Sequence, residues 1–67
     1  MTGVLPLAAM EKILKNNGAA RVSADAKEAF RDSLEEHARV IAEKANMIAK
    51  HAGRTTVKAE DIKLATR

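Results

Sequence analysis

Apolar residues recur at helical spacing through the middle of the chain. At 100° per residue, Ala26, Phe30, Leu34, Ala38, Ile41, Ala45, Ile48 and Ala52 fall on one side. No Pro or Gly interrupts residues 24–51. The pattern predicts a single helix from Ala24 to His51. Ser23 suits its N-cap, Asp25 its first turn, Lys50 and His51 its last turn, and Gly53 a left-handed cap beyond it. Opposite the apolar side, Arg31, Glu35, Arg39 and Glu43 alternate in sign at i,i+4 spacing, which reads as a solvated face.

Shorter periodic stretches flank this helix. Residues 1–5 read as a loose start. Pro6 then suits the first turn of a helix over LAAMEKILKNN, with Leu7, Met10, Ile13 and Leu14 on one side and Gly18 as its end. After Gly53, the β-prone RTTV leads to a third helix, AEDIKLATR, starting at Lys58 or Ala59. Glu60 and Asp61 suit its first turn, and Ile62 with Leu64 or Ala65 would turn inward. The links AARV and RTTV are too short to form a sheet. If they met across two chains, Arg21-Val22 and Thr56-Val57 would pair for a residue or two.

This all-α plan of short, long and short helices fits one domain over residues 1–67, but not a self-sufficient one. The long helix would extend about 42 Å, whereas a compact domain of this size has a radius of gyration of about 11 Å. Two short helices cannot cover it. Hydrophobic residues make up 46% of the chain, yet many are Ala and Phe30 is the sole aromatic, so the core of one copy would be thin. With no Cys for disulfides, two chains crossing at their long helices is the economical remedy.

Charge placement matters more than the net +3. The long helix holds five basic and six acidic residues, and the other positions hold seven basic and three acidic. The positive surplus therefore lies in the ends and loops, where Lys12, Lys15, Arg21, Arg54 and Lys58 occupy stretches without acids. Cationic loops and helix N-termini suit phosphates, and no aromatic platform for single strands is present.

Other chemistry is poorly supported. His37 and His51 lie about 21 Å apart along one helix, which excludes a shared metal ion within one chain. Ser23 and His51, at opposite ends of that helix, cannot form a hydrolytic triad with Asp61, and there is no glycine-rich phosphate cradle. Neither a catalytic site nor a cofactor is expected. The sequence shows no signal peptide and no membrane span, so a soluble intracellular protein is expected.

The stretches LPLA, RVSADA and HAGRTTVKAEDI, at these spacings, resemble an archaeal histone, a tail-less member of the histone-fold family, over residues 4–67. The resemblance implies an intertwined handshake dimer that wraps double-stranded DNA with little sequence preference, associates into tetramers or larger assemblies, and lies on the chromosome in the cytoplasm. A histone-fold module acting mainly through a heterologous protein partner is the alternative. The chain departs from the family pattern in having Ala8 and Ala9 where a second Pro is common, and Thr55 where Lys is common. His37 and Asn46 are also unusual on the long helix, and His37 reads as a packing or rim residue.

In such a dimer the first loop of one chain lies beside the second loop of the other, gathering Arg21, Arg54, Thr56 and Lys58, with Lys12 and Lys15 as further DNA contacts. The resemblance implies that Arg21 enters the minor groove with Thr56 beside it, and that Arg54 pairs with Asp61. It also implies a dimer–dimer contact through Ile48, His51, Asp61 and Leu64, with His51 facing a neighbouring dimer's Asp61. Acidification would then alter assembly.

Overall fold

The computed structural model describes residues 3–67. Three helices form in order, α1 (Leu7–Asn16), α2 (Ala24–His51) and α3 (Ala59–Ala65), with no strand among the described residues. The all-α, short–long–short arrangement is the expected one, and α2 has the predicted bounds. Pro6 stands just outside α1 as its N-cap, in extended conformation, rather than within its first turn.

Both long connections begin with the same device. After α1, the Gly18 N–H donates to the Lys15 carbonyl and the Ala19 N–H to the Leu14 carbonyl, each over 3.1 Å. After α2, Gly53 donates to Lys50 and Arg54 to Ala49, each over 2.9 Å. This is the paired 5→2 and 6→1 pattern that satisfies terminal carbonyls, and it needs a left-handed residue. Gly18 at φ +109° and Gly53 at +73° supply it. The start of α2 is also as expected, with the Ser23 hydroxyl accepting from the Ala26 N–H at 3.1 Å.

Packing divides into two compact units, residues 1–36 and 37–67, with α2 contributing its first part to one and its second part to the other. In the first unit Met10 is buried, while Leu7, Leu14, Phe30 and Leu34 are half-buried and Ile13 is exposed. In the second, Ala45, Ala49 and Ala65 are buried. Of the apolar α3 residues expected to turn inward, Ile62 with Leu64 or Ala65, Ala65 is covered and Ile62 and Leu64 are exposed. Along the α2 stripe, Ala45 alone is buried within the chain. The apolar side of α2 is thus a surface that the single chain leaves largely uncovered.

Two expectations about the first unit are overturned together. Glu35, read as part of a solvated face, is only 3% exposed. Its carboxylate accepts N–H bonds from Gly3 at 2.8 Å, Val4 at 2.5 Å and Leu5 at 2.7 Å. Residues 3–5 are consequently held rather than loose, whereas Met1 and Thr2 lie outside the described residues. The Leu5 N–H leads in drawing the Glu35 pKa below its ordinary value; Gly3, Val4 and the nearby Arg31 charge add to this, and burial opposes it. Of the other three residues read as that face, Arg31 is half-buried, whereas Arg39 pairs with Glu43 one turn on, at 2.6 Å, with both exposed.

Candidate nucleic-acid interface

The second loop is built from the end of α2 outward. Because the Arg54 N–H closes the terminal turn on Ala49, the start of its side chain is fixed by the helix. The guanidinium then grips Asp61 through two parallel bonds, Nη1 to Oδ2 at 2.9 Å and Nη2 to Oδ1 at 2.8 Å. Nη1 also donates to the Thr56 carbonyl at 3.0 Å, tying down the middle of the loop. Glu60 lies farther off, at 3.9 Å from Nη2.

Asp61 has a second task at the start of α3. Its Oδ2 accepts the Lys58 N–H at 2.8 Å, while its own N–H donates to the Lys58 carbonyl at 3.0 Å. A lysine side chain carries only donors, so Lys58 cannot serve as an accepting N-cap. The carboxylate three residues on supplies the acceptor instead, which is the reverse half of a capping box.

With three donors on it, Asp61 is 1% exposed and its pKa falls from 3.8 to about 2. The Arg54 hydrogen bonds are the main cause, followed by the Lys58 N–H, against the opposing effect of burial. The Arg54 pKa rises reciprocally, chiefly through the same hydrogen bonds. The Arg54 charge is thus largely spent within the loop, and the exposed polar side chains there are Thr55, Thr56 and Lys58.

In the first unit, Lys12 and Lys15 extend from α1 and Arg21 from the following loop, all three exposed. The stretch after Glu11 is acid-free in sequence, but one helical turn returns Glu11 to within 3.5 Å of Lys15 and offsets part of its charge. No acid is shown against Lys12 or Arg21 among the described residues.

Ile48, His51 and Leu64 line one groove of the second unit, with Lys44, Met47, Ala65 and Arg67. Asp61 does not line it; it is committed to Arg54 and Lys58. Sequence reasoning missed Met47 and Lys44, although Met47 stands four residues before His51 and Lys44 four before Ile48, a spacing that puts each pair on one helix face. Among the described residues, no cluster of three or more His, Cys, Asp or Glu side chains is suited to a metal ion. No helix described is long and apolar enough to cross a membrane.

The family model for histone-like transcription factors (CBF/NF-Y) and archaeal histones matches residues 4–66. Among curated proteins, one subunit of the archaeal histone HAN1 of Thermococcus zilligii is 48% identical over 63 residues, covering 94% of each chain. The probable archaeal histone 3 of Methanocaldococcus jannaschii is 52% identical over 63 residues, again covering 94% of each.

Proposed function

The chain belongs to the family of histone-like transcription factors and archaeal histones, which are not enzymes, and from that premise we propose that it binds and compacts double-stranded DNA with little sequence preference. The observation that carries this reading is the placement of charge: Lys12, Lys15, Arg21 and Lys58 are exposed on α1 and the loops, whereas α2 holds slightly more acidic than basic residues. Such cations displace counterions from phosphates without reading bases, and DNA bendability sets what preference there is. The protein is then chromosome-associated in the cytoplasm.

Residues 1–67 act as one histone-fold domain that pairs with a second copy through the uncovered apolar side of α2. The pairing sets Arg21 of one chain beside Thr56 and Lys58 of the other, with Arg21 directed at the minor groove. Within that cluster Arg54 contributes mainly by shaping the loop that presents Thr56 and Lys58. Dimers associate further through the face of Ile48, His51 and Leu64. A bond from a neighbouring His51 to Asp61 would require that carboxylate, 1% exposed and already holding three donors in the single chain, to become accessible on assembly.

Titration of duplexes of unrelated sequence at several salt concentrations tests the DNA reading. Affinities that agree across sequences and fall linearly on a log–log plot against salt are expected; no binding at low salt would defeat the proposal. The second reading, a module working mainly through a heterologous protein, is favoured by one finding, that a relative 48% identical is named as one subunit of a histone.

A further inference from the structure

We propose that Met47 is a site of oxidation by a hydroperoxide, and that its sulfoxide blocks association of dimers through the face of Ile48, His51 and Leu64. The proposal rests on the reading of that face as the contact between dimers and adds what regulates it. The chain has three Met and no Cys, so thioethers are its only redox-active sulfur. Met10, in the first unit, is 2% exposed and out of an oxidant's reach, whereas Met47 is 59% exposed on α2. Two adjoining open hollows, of about 290 and 280 Å³, are both lined by Met47 and His51, and Ile48 and Leu64 line the second of them. Each hollow is several times the roughly 30 Å³ that a water occupies in the liquid, so a small hydroperoxide has room beside the thioether.

In the reaction a sulfur lone pair attacks one oxygen of the peroxide and the O–O bond breaks. The transferred oxygen loses its proton, which solvent relays to the departing oxygen, and that oxygen leaves as water, or as an alcohol from an organic hydroperoxide. Sulfur gives up two electrons and the peroxide takes them. The reduced side chain is flexible and apolar, suited to filling gaps in a contact that also contains Ile48 and Leu64. The sulfoxide sets a polar, accepting oxygen and a new stereocentre at the same place. On the free dimer that oxygen is hydrated, and association strips its water away at a cost. Lys44, Lys50 and His51 stand three or four residues from Met47, on its side of the helix. They replace the lost water only by following the oxygen into the contact, which desolvates them in turn. Because association covers Met47, the sulfoxide forms on unassociated dimers and assembled ones are protected.

The test treats the whole protein with graded hydrogen peroxide, assigns the oxidised residue by peptide mass spectrometry, and follows association by sedimentation velocity over a range of protein concentrations. Met47 is expected to gain one oxygen well before Met10. Association beyond the dimer is expected to weaken roughly tenfold or more, with the helical circular dichroism unchanged, and to recover with the methionine sulfoxide reductases for both epimers. Met47→Leu, which keeps Met1 and Met10, is expected to associate like the untreated protein and to be indifferent to peroxide. Met47→Gln, with a polar group at a similar reach, is expected to associate as weakly as the oxidised protein without any oxidant. Unchanged association once Met47 is fully oxidised overturns the proposal; so does an equal loss in Met47→Leu, which places the effect at another residue. Leu64→Asp, measured alongside, distinguishes two levels of failure. If Leu64→Asp dissolves assemblies and oxidation of Met47 does not, the face joins copies of this chain and only its redox control is wrong. If neither change has an effect, or the untreated protein shows nothing beyond the dimer, the assembly reading fails and the proposal with it.

Discussion

The two units each hold one buried carboxylate, and the two are satisfied in opposite ways. Glu35 accepts three successive backbone N–H groups, from Gly3, Val4 and Leu5. Asp61 accepts a bidentate guanidinium and one backbone N–H. The first arrangement uses the charge to fasten a chain segment, and the second uses it to neutralise a cation and begin a helix. Removing the acid therefore has different consequences. Without Glu35, three N–H groups turn to water, which an exposed segment allows. Without Asp61, Arg54 loses its partner, α3 loses the acceptor at its first turn, and the loop carrying Thr56 and Lys58 loses its brace.

The largest effect is accordingly expected from Asp61→Ala, with a thermal midpoint lowered on the order of 10 °C or more, and less from Asp61→Asn, whose amide oxygen still accepts from Lys58. Circular dichroism melts compare these directly with Glu35→Gln, which should fall by a smaller amount because its amide oxygen retains part of the N–H cage. A greater loss for Glu35→Gln would mean that the N-terminal fastening, not the Arg54 brace, dominates stability.

Acid separates the same two groups. Both folded values lie below the unfolded ones, so each carboxylate contributes stability that is present at higher pH and lost as pH falls. For Asp61, with an ordinary value of 3.8 and a folded value of about 2, the loss falls between about pH 4 and 2. For Glu35 the loss sets in below its ordinary 4.5. Urea midpoints measured against pH should show the Glu35→Gln deficit beginning to shrink once pH drops under 4.5, and the Asp61→Asn deficit beginning to shrink only under 3.8 and vanishing near pH 2. A deficit that stays constant for either variant as pH falls from about 5 to 2 would contradict the corresponding lowered value.

The contrast also explains what was legible in the sequence. The pairing of Arg54 with Asp61, seven residues apart across the second loop, was legible through the resemblance of HAGRTTVKAEDI to the archaeal histones rather than through the spacing itself. The helix bounds were equally readable, since Ser23, Gly18 and Gly53 each act through a local rule. Glu35 carried no such mark. Its partners are backbone N–H groups, which every residue but proline has, and they lie 30 to 32 positions away. Its place in an alternating i,i+4 series pointed instead to solvent. The exposure of Ile62 and Leu64 was hidden for a related reason: periodicity marks a residue as apolar-facing without saying whether its cover comes from the same chain.

A moderate effect is expected on the DNA side. Arg21→Ala should weaken binding about equally for unrelated duplexes and make the salt dependence shallower, by roughly 0.9 in log–log slope for each phosphate no longer neutralised, with the melting curve little changed. Arg54→Ala should do the reverse, lowering the thermal midpoint while any loss of affinity follows from the disordered loop. Binding isotherms at three salt concentrations, paired with melts, separate the two. If Arg54→Ala reduces the salt slope as much as Arg21→Ala without destabilising, its guanidinium contacts phosphate in addition to Asp61.

The smallest effects are expected at the two helix ends, and they test whether the shared capping pattern is equally demanding in both units. A Cβ would meet no atom within 4 Å at either Gly18 or Gly53, so backbone conformation alone decides the cost. Gly53, at φ +73°, lies at the edge of the left-handed region, which Asn tolerates. Gly18, at φ +109°, lies well beyond it, where any Cβ is strained. Gly53→Asn should therefore cost only a few tenths of a kcal/mol, and Gly18→Asn about 1 kcal/mol. Urea unfolding resolves that difference. Equal costs would show that the α1 end relaxes toward the ordinary left-handed geometry when a side chain is present, which would make it the more compliant of the two caps.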